Sequence, residues 1–304
     1  MLAKGIIMMM NKTTLLALTI AAFTTTAFAN DEAMMGTPNS GLQAGVYLSQ
    51  HSFDINYSGT VNEGAGDVAA SYELDGDVTA LGLKGIYNAE AGDFEVYYET
   101  GISDSFDALK TKNCLTGCDG AGASPDVDYS RFGAKFMTDQ SHWFEQMDQT
   151  FRIGAEFIST SLDTGSHPAK NLDSYSSEVK TSEIGAVAEW KFHSDPKLTW
   201  EVEGGLYYTD GSIKGSGSFD AGVVVVNESN EYEFSAVTAK LRGGVSYAFN
   251  DRILAYAGVE WSDNVVDIDD TLKHNVSLVN GASGNAGSVE YGELSIESGV
   301  TMKF

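Results

Sequence analysis

The chain has 304 residues, with 43 acidic against 18 basic side chains and a formal net charge of −25. That balance excludes a nucleic-acid binder, which needs a basic stripe to neutralise phosphates. Thirty-three glycines, four prolines and 11% aromatics suit a single all-β unit rather than several domains.

Taken in chain order, Lys12 precedes an apolar run from Leu15 to Phe23, and Ala27-Phe28-Ala29 follows with small residues at both key positions. This is the pattern of a secretory signal peptide over residues 1–29, cut before Asn30. Lys4 and Met8-Met9-Met10 leave open which methionine starts the chain. The run is too short and too rich in Thr to span a membrane as a helix, and no later stretch is long and apolar enough. Residues 30–41 are expected to form a short periplasmic segment.

From Leu42 onward apolar residues recur at every second position, the signature of strands with two unlike faces. Ten segments carry it. They are Leu42 to Leu48; Leu81, Leu83, Tyr87; Phe94, Val96, Tyr98; Phe132, Ala134, Phe136; and Phe151, Ile153, Ala155, Phe157. Next come Ile184 to Trp190 with Phe192; Leu198, Trp200, Val202, Leu206; and Val237, Leu241, Val245, Tyr247, Phe249. Ile253 to Val259 with Trp261, and the closing segment Leu294 to Phe304, complete the set. Short connections at 88–93, 194–197 and 250–251, and a middling one at 139–149, alternate with long ones near 58–70, 108–126, 164–177, 214–232 and 268–287. The long ones are rich in Gly, Ser, Asn and Asp, as loops require.

The last segment, Leu294, Ile296, Val300, Met302 and Phe304, ends on an aromatic. It resembles the closing strand of Gram-negative outer-membrane β-barrels, which the barrel-assembly machinery reads. The resemblance implies a transmembrane antiparallel up-and-down β-barrel of ten strands over residues 42–304. It also implies five extracellular loops, both termini in the periplasm, and contact with outer-membrane lipid and lipopolysaccharide. Twelve strands is the alternative, with an extra hairpin near Val223–Val226 or in 164–180. Phe94, Phe151, Phe192, Trp200, Phe249 and Phe304 then form one aromatic girdle, and Phe157, Tyr208 and Trp261 the other. Trp143, Phe144 and Met147 read as a short interfacial helix.

The inward-facing positions of these strands carry both signs. Glu95 and Glu99 adjoin Arg131 and Lys135 on the next strand, and Glu201 and Glu203 adjoin Lys240 and Arg242. Cross-strand neighbours lie close enough to pair. In a narrow barrel a buried ion needs a partner, so a largely plugged lumen is expected. A small cation-preferring diffusion pore is the alternative. Most of the net acidity then falls on an outward-facing crown that includes Asp75, Asp77, Asp104 and Asp107. These side chains either keep the surface hydrated or hold Ca²⁺ or Mg²⁺ against lipopolysaccharide phosphates. Cys114 and Cys118, in Cys-Leu-Thr-Gly-Cys, read as a loop-tip disulfide of an exported chain, with no further Cys or His nearby for a metal.

Ten strands also describe the omptin outer-membrane proteases, which use paired acids and an Asp-His pair at the outer rim. Asp75-Gly76-Asp77, His51 and Asp54 are similar in type. However, Asp210-Gly211-Ser212 has serine where that pattern needs histidine, and parity turns Asp75 and Asp77 outward. The lone histidines, His51 among them, are expected to be solvated, and a Ser-His-Asp lipase arrangement is not spaced out anywhere. The expectation is a non-enzymatic barrel without a cofactor.

Overall fold

The computed structural model describes residues 41–62, 67–89, 91–107, 110–112, 119–121, 126–141, 149–169, 172–220, 225–276 and 279–304. The signal peptide, the Cys114–Cys118 pair and the helix around Trp143, Phe144 and Met147 lie outside the described residues.

Thirteen strands follow in chain order: β1 Gly41–Asn62, β2 Asp67–Ala89, β3 Gly92–Phe106, β4 Lys110–Lys112, β5 Asp119–Ala121, β6 Asp128–Asp139 and β7 Gln149–Asp163. Then come β8 His167–Ala169, β9 Leu172–Asp195, β10 Leu198–Asp220, β11 Val225–Ala248, β12 Ile253–Val276 and β13 Val279–Lys303. Ten of them form the wall, in the order β1-β13-β12-β11-β10-β9-β7-β6-β3-β2, and β1 also pairs with β2. Every wall pairing is antiparallel and β1 pairs with both β13 and β2, so this is a closed up-and-down barrel. Each of the ten predicted segments falls on one wall strand. The twelve-strand alternative fails because Val225 and Val226 extend β11, while β8 only flanks β9.

The strands are longer than the sequence alternation suggested, and the reason is a change of pattern along each one. In the lower part of β1, Leu42 faces out, 53% exposed, while Tyr47, Ser49 and His51 are buried within. Higher up the same strand, Phe53, Ile55 and Tyr57 are the buried residues, and Asp54 is exposed. The parity is unbroken, but the chemistry of the two faces has exchanged. β10 shows the same exchange. Leu206 and Tyr208 are exposed apolar residues, and two and six positions later Asp210 and Lys214 take that face while Ile213 is buried. β13 repeats it, with exposed Leu294 and Ile296 giving way upward to buried Tyr291 and exposed Glu290.

Below the crossover the outer face is a belt of exposed apolar side chains, including Leu83, Phe136, Ile184, Leu241 and Ile296. A belt of this kind, facing outward on a closed barrel, is what a hydrocarbon environment stabilises. Above it the outer face is wet, so the apolar face turns inward as in a water-soluble barrel. The expected loops at 58–70, 214–232 and 268–287 are therefore largely strand, and the hairpins rise well above the belt.

The widest interruption in the wall lies between β12 and β13. β12 and β13 pair from Ile253–Met302 to Asp263–Gly292 and again from Leu272–Gly284, with the ladder interrupted between. On its other side β12 stays on β11, but Val265 and Ile268 are extra residues relative to that partner, two β-bulges. Val265, Val266, Asp267 and Ile268 are consequently exposed in succession.

Candidate functional site

The interior is the place where this sequence concentrates chemistry, and it has two layers. The upper layer is an apolar cluster that includes Phe53, Ile55, Leu74, Val78, Tyr129, Ile213, Tyr232, Phe234 and Tyr291. Tyr57 and Tyr232 bring their ring centroids to 4.0 Å, and Phe53 packs near both Tyr129 and Tyr291. Small residues make room for these rings. A Cβ on Gly211 would lie 2.3 Å from the Phe234 ring, so a glycine is required where the ring presses on the wall.

The lower layer is ionic. Arg131 of β6 donates from Nη1 to Glu293 of β13 at 2.7 Å, and from Nη2 to Glu260 of β12 at 3.3 Å. Lys135 donates to Glu203 at 2.9 Å, across the barrel on β10. Lys240 meets Glu183 at 2.5 Å, Lys84 meets Glu95 at 3.4 Å, and Lys191 meets Glu201 at 3.4 Å. Arg242 pairs with Glu297, and Arg152 with both Asp93 and Glu189. Glu156 accepts hydrogen bonds from Tyr207 at 2.5 Å and Tyr97 at 3.2 Å. Lys84 also lies 4.7 Å from the Tyr256 ring centroid, and Lys240 5.1 Å from that of Tyr207. A void of about 30 Å³ remains among residues that include His51, Tyr97, Glu99 and Arg131. That is room for about one water molecule.

The backbone register puts Glu95 opposite Lys135, Glu99 opposite Arg131 and Glu203 opposite Arg242. Glu201 instead faces Gly244, and Lys240 faces Gly205. The ion pairs themselves mostly form elsewhere. Long side chains in a ten-stranded lumen reach over the middle, so Arg131, Lys135 and Arg242 find carboxylates on more distant strands instead of the neighbours that sequence order suggests.

His51 corrects the expectation of a solvated histidine. It is 1% exposed, with Nδ1 2.7 Å from Glu293 and Nε2 2.9 Å from Glu99. Glu293 already accepts from Arg131, and Glu99 accepts from the Tyr129 hydroxyl at 2.9 Å. Both carboxylates thus act as acceptors, so the imidazole between them donates from both nitrogens and carries charge. The available signal was parity: His51 shares the inward face with Tyr47, Ser49 and Phe53.

Outside the barrel, Asp75 and Asp77 sit on β2 and Asp210 on β10, on opposite sides of the ring of strands. Asp77 accepts from Ser52, and Asp54 accepts from Asn56 at 2.5 Å. With His51 inside the lumen, no omptin-like rim pair is assembled among the described residues. The carboxylates considered for a cation are not brought together among the described residues either. Asp104 accepts from the Val127 amide at 2.7 Å, and Asp107 donates its amide to the Asp75 carbonyl. Among the described residues, no three carboxylate, imidazole or thiol groups gather to hold a metal. The density of acids along neighbouring strands did not become convergence, because alternate residues point to opposite faces.

No protein-family model and no curated protein matches this sequence. In three dimensions the chain is similar to the outer membrane protease OmpT from Escherichia coli, at TM-score 0.56 and 9% identity, over 90% of this chain and 99% of that one. It is also similar to the translocator domain of the autotransporter NalP from Neisseria meningitidis, at TM-score 0.45 and 16% identity, over 96% and 98%. The outer membrane protein OprG from Pseudomonas aeruginosa follows, at TM-score 0.38 and 12% identity, over 88% and 97%. The fold is that of the Gram-negative outer-membrane β-barrels, and the apolar belt fits the outer membrane.

Proposed function

We propose that this barrel is a closed, non-enzymatic outer-membrane protein with a structural or surface-interaction role, exported through residues 1–29 and assembled through its terminal Phe304. The observation that carries the proposal is the doubly filled interior, an aromatic cluster stacked above a network of buried ion pairs. Open aqueous channels belong to barrels of about sixteen strands, whereas about eight are just filled by side chains. A ten-stranded wall lined with paired charges and inward aromatics stands near the filled end of that range.

Planar-bilayer conductance tests it. The expected result is no steady current from the folded, heat-modifiable protein. Steady channels that prefer K⁺ over Cl⁻ would replace the closed barrel with a small cation-preferring pore, which the acidic crown supports.

A further inference from the structure

β12 and β13 pair up to Asp263 and Gly292 and again from Leu272 and Gly284, which leaves 264–271 and 285–291 without pairing to each other. Each stretch keeps its other neighbour. β12 stays on β11, while Asn285 and then Ser288 to Tyr291 stay on β1. Two strand edges therefore face each other along roughly 25 Å, the length of seven or eight extended residues. The break begins at the top of the apolar belt, since Tyr208, Val237 and Val266 share one row. It rises from there into the wet wall beside Asp210 and Ser235.

The side chains around the break behave as though a neighbouring strand were missing. Asp267 lies opposite Ala236, whose side chain is buried in the interior, yet Asp267 is exposed. Residues directly opposite share a face, so water reaches the inner side of β12 at this height. Val265, Val266 and Ile268 are exposed apolar residues beside it. At its foot Asn264 accepts from Thr238 of β11 at Oδ1, 2.8 Å away, and its Nδ2 has no partner among the described residues. The hydroxyl of Ser262, 1% exposed, is unsatisfied too. Buried polar groups are ordinarily paired, so two orphans at one edge point to something that completes it.

An open strand edge takes up an extended chain through backbone hydrogen bonds. Here the charge selects which chain. Asp263, Asp267, Asp269 and Asp270 of β12 and Glu290 of β13 border the break, and no lysine, arginine or histidine occurs in 253–272 or 279–302. Anionic lipid headgroups, and a second copy of this acidic chain, are repelled there. We propose, on the reading of this chain as a surface-interaction barrel, that the β12–β13 break is a strand-addition site for an extended, cationic segment of a partner protein. The segment pairs its backbone with the open edge of β12. It sets lysine or arginine on the face that carries Asp267 and apolar residues on the face that carries Val266.

The test uses the full-length folded barrel in detergent and a capped eight-residue peptide of alternating lysine and valine. Hydrogen exchange read by mass spectrometry should show the amides of 264–271 slowing when the peptide is added. The same peptide N-methylated throughout, or with glutamate for lysine, should bind at least about tenfold more weakly. Deleting Val265 and Ile268, the two residues that β11 does not match, should abolish the slowing, with unboiled mobility reporting that the barrel still forms. Asp267→Asn should weaken binding of the lysine peptide and leave the fold intact. Equal binding of the three peptides, or slowing elsewhere than 264–271, overturns the proposal. So does slowing that follows barrel concentration without peptide, which assigns the break to a second copy, and so do amides already slow in the peptide-free barrel. A folded barrel without steady current that ignores the peptide refutes only the strand site. Steady current through the same barrel refutes instead the closed-barrel reading beneath it.

Discussion

Removing Arg131 is the sharpest test of whether the lumen is dry. Its guanidinium is 4% exposed and holds Glu293, whose carboxylate is 3% exposed, at 2.7 Å. Arg131→Met keeps most of the volume and deletes the charge, leaving Glu293 to His51 alone and depriving Glu260 of its 3.3 Å partner. Breaking a buried pair from one side costs about 3–5 kcal/mol, because a desolvated charge is left uncompensated. The same pair in a water-filled channel would be worth about 0–1 kcal/mol. Adding Glu293→Met should recover much of the loss, since His51 retains Glu99 at 2.9 Å and one excess buried charge disappears. Urea-driven unfolding from detergent or lipid vesicles, followed by tryptophan fluorescence and by mobility of unboiled samples, measures both steps. A single-variant cost below about 1 kcal/mol, with the two substitutions additive, would show that water reaches the pair and would refute the filled interior.

Three further outcomes are expected. Gly133→Ala places a Cβ 2.1 Å from the Tyr97 ring and should destabilise the barrel by overpacking, about 1–3 kcal/mol in the same urea assay. Amides of residues 264–271 that point toward β13 should exchange hydrogen faster than those of 254–262, as mass spectrometry of the folded protein can read; equal protection would mean that the β12–β13 ladder is continuous. Phe304→Asp should lower the yield of assembled barrel in cells while changing the urea midpoint little, because the residue is 71% exposed and the hydrogen bond it donates to the Leu42 carbonyl comes from its backbone N–H. Unchanged yield would remove Phe304 from assembly.

The ten strands and their order were legible because the belt segments state their period plainly, as in Phe151, Ile153, Ala155 and Phe157. Their true lengths were hidden by the crossover. Following the even positions of β1, the oily pattern ends at Leu48, and polar Gln50 and Ser52 look like the approach to a loop. Phe53, Ile55 and Tyr57 continue the strand on the other parity, and only the knowledge that water replaces lipid at that height makes the two halves one element. Parity was nevertheless enough to turn Asp75 and Asp77 outward. The ion pairs were less legible. Register is a local property and put Glu99 opposite Arg131, but the choice of Glu293 for Arg131 depends on the width of the lumen and on His51 occupying Glu99.

The two filled layers are held by different physics, and this bears on where function can reside. The aromatic layer is sustained mainly by burial of apolar surface, and Tyr129 ties it to the ionic layer through its hydrogen bond to Glu99. The ionic layer depends on each carboxylate and ammonium keeping its partner. The two layers meet where His51 contacts Phe53 and Tyr129. On the proposed reading of a filled interior, the barrel is poorly suited to transport. It is well suited to holding a tall, rigid wall upright above the membrane. The variable chemistry of this chain then lies on the outside of that wall. Above the belt, β9, β10 and β11 project both signs, with Lys180 against Glu178 and Lys214 against Glu231. If the interior is filled as proposed, recognition at the flank of that wall, and not traffic through its axis, is the role left to it.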